Sequence, residues 1–191
     1  MRVVTTTLEM REPPERAARP LPDGVRLERV LQISPEYARF LYGLVGGPWH
    51  WTERLGWSRQ QWLDELANEG EELWVLYRGG APAGYVQLHP TRRESGLEVE
   101  IRYFGLAEDA IGHGYGGLLL EHGLRHAWTV HERSDLPRPT RVWVHTCTLD
   151  GPAALANYQA RGMVVTTVEE DEQDGPDQPL GSWVSSGGPR S

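Results

Sequence analysis

The stretch Gly112-His113-Gly114-Tyr115-Gly116-Gly117, which continues directly into Leu118-Leu119-Leu120-Glu121, decides how the chain is interpreted. Four glycines among six residues let the backbone approach a ligand more closely than side chains would permit. The first turn of a helix carries unpaired N–H groups and the positive end of the helix dipole, so an anion is stabilised there without a basic side chain. The stretch therefore predicts a phosphate-binding turn at the start of a helix, with a simple flexible turn as the alternative.

The segments on both sides of the glycines indicate a unit of strand, short polar loop, glycine turn and helix. Before the glycines, apolar and polar residues alternate: Leu97, Val99, Ile101 and Tyr103 lie on one side, and Glu98, Glu100 and Arg102 on the other. A period of two is typical of an antiparallel strand with one face in water. After the glycines, apolar residues recur at helical spacing, namely Leu120, Leu124, Ala127 and Trp128.

A dinucleotide-binding turn is one interpretation of this unit. Gly112, Gly114 and Gly117 satisfy the pattern G-x-G-x-x-G, which is weak without its structural context. A Rossmann turn directly follows a buried, wholly apolar parallel strand early in a domain. Here the strand is half polar, residues 107–111 intervene, and little chain is left for further βαβ units. An NAD-dependent oxidoreductase is therefore the less favoured alternative.

A second interpretation rests on a family resemblance. Part of the sequence resembles motif A of the GNAT acyltransferase superfamily, whose core is R/Q-x-x-G-x-G/A. The resemblance runs over segment 100–106, a five-residue spacer and segment 112–116. Gly114 and Gly116 fall on its two glycines. Ile111 stands where Arg or Gln is usual, so the resemblance implies a cofactor grip that rests on backbone N–H groups more than on a side chain.

The segment 151–163 is similar to motif B of the same superfamily, N-P-x-A-x-x-x-Y-x-x-x-G-F. Gly151 and Met163 replace the usual Asn and Phe. Two matching motifs in the right order and at a suitable separation are much more specific than either alone. The resemblance covers roughly residues 25–168.

The resemblance implies an α/β (α+β) domain with a mixed, mostly antiparallel sheet flanked by about four helices. It also implies an N-acetyltransferase that passes the acetyl group of acetyl-CoA directly to an amine of a small molecule in a ternary complex, without a metal. Leu106 would offer backbone groups to the pantetheine, the turn would hold the pyrophosphate, and Asn157 would pair with a pantetheine amide. The implied cofactor-binding residues are Leu106, Ile111, Gly112, His113, Gly114, Tyr115, Gly116, Gly117 and Asn157.

Transfer to an amine requires a base. An alkyl amine is almost wholly protonated at pH 7, and forming the neutral nucleophile costs about 4.6 kcal/mol. Glu100 lies on the polar side of the strand that ends at the glycine turn, and in the resemblance it occupies a position that some members use as the base. The alternative is a solvated carboxylate paired with Arg102. Glu98 and His145 are the reserve candidates.

The leaving thiolate requires a proton donor. Tyr158 matches the motif B tyrosine, which stands near the thioester sulfur in the superfamily, so the resemblance implies that it is the acid. The alternative is a core aromatic that packs with Ala154 and Leu155. Cys147 shares a strand face with His145, which raises a thiol acyl-enzyme route, although a single buried cysteine is more often inert.

A tryptophan-rich segment precedes the second predicted helix. Trp57 and Trp62 flank a capping box and are placed to form a hydrophobic staple. Trp49 and Trp51 have no such role, and aromatic surface in a loop usually needs a partner or ligand. The resemblance implies that Trp49, Trp51 and Arg54 shape the acceptor site, and anchoring of the loop to the core is the alternative. Indole faces attract cations, so the acceptor would have an apolar or cationic part.

Composition limits the compartment and the partners. The chain has 191 residues, a net charge of −8 and a pI near 5.4, which argue against nucleic-acid and membrane binding and are compatible with a cationic acceptor. The single cysteine excludes an internal disulfide framework. The N-terminus has no apolar signal region, and no segment approaches the ~20 apolar residues of a membrane span, so we expect a cytoplasmic protein.

Three regions are expected along the chain. Residues 1–24 give an N-terminal strand, expected at an edge, and a proline-rich connector. Residues 25–168 form the acyltransferase domain, and residues 169–191 are acidic and then Gly/Ser/Pro-rich, which predicts a poorly ordered tail. The competing function is a CoA-binding sensor or partner module with little or no transferase activity. The identity of the amine, the acyl length and the oligomeric state, a homodimer included, stay open.

Overall fold

The computed structural model describes residues 2–172 and 178–189. Within these residues the strands are β1 (Arg2–Met10), β2 (Val25–Arg29), β3 (Glu72–Arg78), β4 (Ala81–Arg93), β5 (Gly96–Leu106), β6 (Pro139–Cys147) and β7 (Val164–Glu172). The α-helices are α1 (Pro35–Gly46), α2 (Arg59–Leu66), α3 (Tyr115–Trp128), α4 (Ala154–Gln159) and α5 (Gly181–Ser185). Short 3-10 helices occupy Glu53–Gly56, Glu108–Ala110 and Val130–Glu132. None of the helices in these two ranges is long and apolar enough to cross a bilayer.

The strands form one sheet in the order β2-β3-β4-β5-β6-β1-β7. Within this sheet β5 and β6 run parallel, and the other neighbouring strands are antiparallel. The predicted α/β (α+β) class with a mixed, mostly antiparallel sheet is confirmed. The short helix α5 is added to the four that were expected.

Each face of the sheet buries its own hydrophobic cluster. On one face, α3 packs against β4 and β5 through Leu119, Leu120 and Leu124, which are almost completely buried. On the opposite face, α1 and α2 supply Leu41 and Trp62 to a second cluster. We call these two sides the α3 face and the α1 face.

The helix starts follow from local sequence. Ser34 caps α1 by accepting a hydrogen bond from the Tyr37 N–H at 3.2 Å, and Pro35 follows the cap, where its missing N–H costs no helical hydrogen bond. Before α2, Ser58 and Gln61 form both hydrogen bonds of a capping box. The predicted capping box of α2 is confirmed.

A β-bulge changes the predicted facing of β5. Gln87 of β4 pairs with Tyr103, whereas the next residue, Leu88, pairs with Ile101, so Arg102 is an extra residue on β5. The strict alternation placed Tyr103 on the same side as Ile101, and this was wrong. Tyr103 packs on the α1 face, with its ring centroid 5.3 Å from that of Tyr42. A period-two pattern contains no signal for an inserted residue.

The N-terminal strand lies inside the sheet. It was expected at an edge, but β1 pairs with β6 through residues 5–10 and with β7 through residues 2–9. Leu8 is fully buried there. The connector after β1 then crosses to α3, where Arg19 donates to Glu121 at 2.9 Å. Strand order depends on long-range pairing, which the local pattern of a strand does not encode.

Two parts of the predicted tail belong to regular elements. Residues 169–172 lie in β7, where they pair with β1. Helix α5 docks on α1: the Gly181 N–H donates to the Gly47 carbonyl at 2.8 Å, and the Ser182 hydroxyl donates to the Leu44 carbonyl at 3.0 Å. Residues 173–177 and 190–191 lie outside the described residues.

Leu8→Ala tests the inner position of β1. Because Leu8 is fully buried, we expect the free energy of unfolding to fall by about 2–5 kcal/mol. Val168 on β7 is 61% exposed, so Val168→Ala is the control and should change stability by no more than about 0.5 kcal/mol. Urea unfolding measures both variants. Small and equal effects would contradict an inner β1.

Candidate active site

The parallel pair of strands opens into a cleft. Pairing between β5 and β6 starts at Leu97 and Pro139 and ends at Glu100 and Trp143. Beyond this point β5 continues to Leu106 and β6 to Cys147, without pairing with each other in the described sheet. Backbone groups at the open ends are therefore available to a ligand that enters between the strands.

The glycine turn lies at the end of β5 and starts α3. Gly112 and Gly114 have φ angles of +87° and +79°, and a Cβ at either position would meet nothing within 4 Å. Glycine is thus required there by backbone conformation, and the space beside it is open. Gly114 is the N-cap residue of α3 and gives no side-chain cap, so the first-turn N–H groups stay available for an anion.

Ile111 and His113, at the turn, are both exposed. Ile111 is 45% exposed and follows the short 3-10 helix after β5. The exposed His113 ring stacks on Tyr115 with centroids 5.9 Å apart. Ile111 supplies no basic side chain, so the predicted anion binding by this turn would rest mainly on its backbone N–H groups.

The structure brings together predicted cofactor residues from three elements. A Cβ at Gly116 would lie 3.7 Å from Leu106 Cδ1 at the end of β5 and 3.9 Å from Asn157 Nδ2 on α4. Three positions that are distant in sequence therefore meet at the start of α3. Their roles toward a cofactor stay predictions.

Two arginines beside the turn were missed from the sequence. A Cβ at Gly117 would overlap the Arg161 guanidinium and would lie 3.2 Å from Arg19 Nη2. Both arginines pair with Glu121, at 3.3 and 2.8 Å. They also line a cavity of about 960 Å³ beneath the connector. Arg161 lies inside the motif B segment but at a position the motif does not specify, and no sequence signal points to Arg19.

Glu100 lies in a chain of charged groups on the α1 face. Its Oε2 accepts a hydrogen bond from Arg102 Nη1 at 2.8 Å, and Arg102 also donates to both carboxylate oxygens of Glu65 on α2. His145 Nδ1 is 3.5 Å from Glu100 Oε1. The pairing of Glu100 with Arg102 is thus present, but Arg102 is shared with a second carboxylate. The three groups together carry one net negative charge.

Tyr158 lies on the α3 face, where it is only 4% exposed. Its ring centroid is 5.8 Å from that of Phe104. Burial, together with the charge of Asp150, raises the pKa of Tyr158 well above its usual range. The hydroxyl therefore keeps its proton at physiological pH and is able to donate a hydrogen bond. Both sequence interpretations, a core aromatic and a proton donor, are compatible with this position.

A cavity of about 510 Å³ on the α1 face contains the candidate base. Its lining residues are Thr5, Tyr42, His50, Trp51, Glu53, Arg54, Glu100, Arg102, Tyr103, His145, Cys147, Leu149 and Asp150. The Trp51 ring contacts both Tyr42 and Tyr103, with centroids 5.5 and 5.6 Å away, and its Nε1 donates to Asp150 at 3.3 Å.

The tryptophan-rich segment divides between the cavity and the core. Trp51 and Arg54 line the cavity, whereas Trp49 lies against the turn at Gly151, 3.2 Å from a Cβ placed there. Trp57 packs edge-on against Trp62 with centroids 5.4 Å apart, as a hydrophobic staple requires. A role for Trp49 in the acceptor site stays a prediction.

Cys147 is at the cavity but poorly suited to act as a nucleophile. Burial, followed by the nearby Asp150 carboxylate, raises the pKa of the Cys147 thiol. The reactive species of cysteine is the thiolate, which these surroundings disfavour. The raised pKa of the thiol weighs against the acyl-enzyme route, which the shared strand face of Cys147 and His145 had suggested.

Alkylation of the single cysteine tests this environment. We expect iodoacetamide at pH 7 to modify Cys147 markedly more slowly in the folded protein than in urea, measured by mass spectrometry over time. Asp150→Asn removes the neighbouring charge and should speed the reaction in the folded protein. A folded-state rate equal to that of the unfolded chain would contradict a shielded thiol.

Comparisons with known proteins agree with this arrangement. The model of the Acetyltransferase (GNAT) family matches residues 30–163. The fold is similar to that of a GCN5-related N-acetyltransferase from Kribbella flavida, with a TM-score of 0.58 and 16% identity over 87% of this chain and 56% of that chain.

Two further solved structures match with more of their own length covered. For an aminoglycoside acetyltransferase from an uncultured soil metagenomic sample, the TM-score is 0.56 at 13% identity, over 73% of this chain and 88% of that chain. For Arabidopsis thaliana Naa50 in complex with the bisubstrate analogue CoA-Ac-MVNAL, it is 0.51 at 18% identity, over 75% and 85%.

The matches differ in how much of each chain they cover. No curated protein matches the sequence. The chain spans about half the length of the first solved structures that it matches. At such low identities the structural likenesses show the fold. The family model covers well over half of the chain, and both motifs of the sequence fall within it or at its end. The chain therefore belongs to the acetyltransferase (GNAT) family.

Proposed function

We propose that the protein is an acetyl-CoA-dependent N-acetyltransferase that transfers the acetyl group directly to the amine of a small molecule in a ternary complex. The observation that carries this proposal is the opening of β5 from β6 at Glu100. Past this opening β5 leads to the uncapped start of α3, and Glu100, at the opening, lines a cavity on the α1 face. The single unpaired cysteine suits a cytoplasmic enzyme.

The residues around the glycine turn fit a CoA molecule. The open space beside Gly112 and Gly114 and the uncapped N–H groups of α3 suit a pyrophosphate. Arg19 and Arg161 add positive charge beside Gly117, which offsets the missing basic residue at position 111. The end of β5 at Leu106 and the amide of Asn157 are placed for the pantetheine arm, where an extended chain could use backbone and amide hydrogen bonds.

The acceptor chemistry is assigned to Glu100. Bound acetyl-CoA supplies an activated thioester, from which the acetyl group passes to the amine with release of the CoA thiol. Glu100 accepts the proton of the ammonium, either directly or through His145 or a water, and so produces the neutral nucleophile. Its net negative cluster with Arg102 and Glu65 also attracts the ammonium form before the proton leaves.

The proton of the leaving thiol is assigned to Tyr158. The raised pKa of Tyr158 keeps its hydroxyl protonated, as a donor must be at the start of the reaction. It lies on the α3 face with the cofactor residues, whereas Glu100 lies on the α1 face. The base and the acid thus flank the opening of the sheet from opposite sides.

A small acceptor is supported by the cavity. Its volume of about 510 Å³ falls within the range typical of small-molecule pockets. The similar structures bear names that refer to an aminoglycoside acetyltransferase and to a peptide-like bisubstrate analogue, so likeness alone does not select an acceptor. A CoA-binding sensor remains the second candidate because Ile111 lacks the usual basic side chain.

Thermal unfolding with acetyl-CoA, CoA and NADH tests the cofactor. We expect acetyl-CoA and CoA to raise the melting temperature and NADH to have no effect, since a ligand at ~100 times its Kd adds about 2.7 kcal/mol of stability. Gly114→Ala should weaken this shift because alanine is strained at φ +79°. Gly56→Ala, at a glycine with open space and no positive φ, is the control. No shift with either CoA compound would refute the proposal.

Free-thiol release over a panel of amines separates an enzyme from a sensor. Glu100→Gln and Tyr158→Phe should each lower kcat by about 10²–10⁴-fold, the usual contribution of a general base or acid, with the acetyl-CoA thermal shift retained. Glu98→Gln is the control, since Glu98 lies on the same strand but pairs with Arg141 outside the cavity. Unchanged turnover in both variants would refute the assigned roles, and saturable CoA binding without any thiol release would favour the sensor.

A further inference from the structure

The Arg54 side chain in the acceptor cavity is stacked on aromatic rings, but its guanidinium has no hydrogen-bond acceptor among the described residues. It lies on the 3-10 helix Glu53–Gly56, and its guanidinium carbon is 4.6 Å from the ring centroid of Trp57 and 5.2 Å from that of Tyr103. Its side chain is only 20% exposed. Stacking between two aromatic rings fixes the plane of the guanidinium, so little side-chain entropy is left to lose when a ligand binds.

The guanidinium has no hydrogen-bond acceptor within residues 2–172 and 178–189. Its Nε is buried and unpaired. The only carboxylate within 4.0 Å of it in these ranges is that of Glu53, at 3.6 Å, which is beyond hydrogen-bond length and on a 79% exposed side chain. By contrast, Arg102, which is about as exposed, is held by two carboxylates. A buried charged donor without an acceptor is costly, so Arg54 stands ready for an anion from outside the chain.

The opposite charge lies elsewhere in the same cavity. Glu100, Arg102 and Glu65 together carry one net negative charge, and Glu100 and Arg54 both line the cavity. Two residues along β5 separate Glu100 from Tyr103, over whose ring Arg54 is stacked. The cavity is therefore bipolar, with an amine-attracting end and an anion-attracting end joined by an aromatic wall.

We propose that the acceptor is an amino acid whose carboxylate binds Arg54 while its amine faces Glu100. This inference rests on the proposed transferase function. A guanidinium matches a carboxylate with two parallel hydrogen bonds, and the aromatic residues Tyr42, Trp51 and Tyr103 provide a surface for the apolar part of the molecule. A polyanion fits less well, because Glu53 and Asp150 also line the cavity and would repel it.

The same contacts weigh against a purely cationic acceptor. The sequence suggested that indole faces attract a cation, but the cation over Trp57 and Tyr103 is Arg54 itself. A second positive group placed there would be repelled by the guanidinium. The ammonium of the acceptor is therefore assigned to the Glu100 end of the cavity, away from Arg54.

Matched acids and amides test the proposal by free-thiol release. The probes are L-phenylalanine, L-leucine and 4-aminobutyrate, each compared with its carboxamide, which keeps the size but removes the negative charge. We expect at least one acid to exceed its amide by about 10–100-fold in kcat/KM, the scale of one charged hydrogen-bonded contact. Equal rates for every pair, or a preference for the amides, would overturn the proposal.

Variants assign the preference to Arg54. Arg54→Gln should raise KM for the preferred acid and leave kcat/KM for its amide nearly unchanged, whereas Arg54→Lys should restore part of the preference because it keeps the charge without the planar fork. Arg39→Gln is the matched control, since Arg39 donates to the Leu55 carbonyl of the same short helix and lies outside the cavity lining. Equal losses for acid and amide in Arg54→Gln would indicate a structural role only.

Calorimetric titration of the same probes in the presence of CoA separates this inference from the proposed function. Acid binding that Arg54→Gln abolishes, without thiol release, would refute the transferase and retain the carboxylate site. Turnover of amines without a preference for acids would retain the transferase and refute the carboxylate site. Binding of none of the three acids would also refute the carboxylate site.

Discussion

The end of pairing between β5 and β6 at Glu100 is the constraint on which the site depends. Up to Glu100 the parallel strands share backbone hydrogen bonds, and beyond it the backbone groups on their facing edges are no longer paired with each other. Helix α3 is the crossover between these two strands, so it must begin at the open end of the sheet. The glycine turn, Leu106 and Asn157 meet there for the same reason.

The β-bulge at Arg102 determines which side chains surround the acceptor. The extra residue puts Tyr103 on the α1 face, where it joins the cavity that also contains Glu100, and Arg102 itself bridges Glu100 and Glu65. Without the bulge, Tyr103 would point into the α3 core. One inserted residue thus supplies the aromatic wall of the cavity and holds the candidate base in place.

Local charge in this protein differs from its overall charge. The net charge of the chain is −8, yet arginines lie beside the glycine turn (Arg19 and Arg161) and in the cavity that contains Glu100 (Arg54). Each is held by stacking or by a shared carboxylate, so its position is set by neighbours distant in sequence. Net charge describes the long-range field of a protein and says little about one pocket.

The sequence by itself determined the strand, turn and helix unit, the caps of α1 and α2 and, through two motifs, the family, because these depend on residues close together in the chain. It also identified Glu100, Tyr158 and the turn as candidates. The inner place of β1, the facing of Tyr103, the meeting of Arg19 and Arg161 beside the turn and the stacking of Arg54 on Tyr103 came only from the tertiary structure. Strand order, bulges and contacts between distant residues depend on pairing and packing across the whole chain, and no local pattern of residues records them.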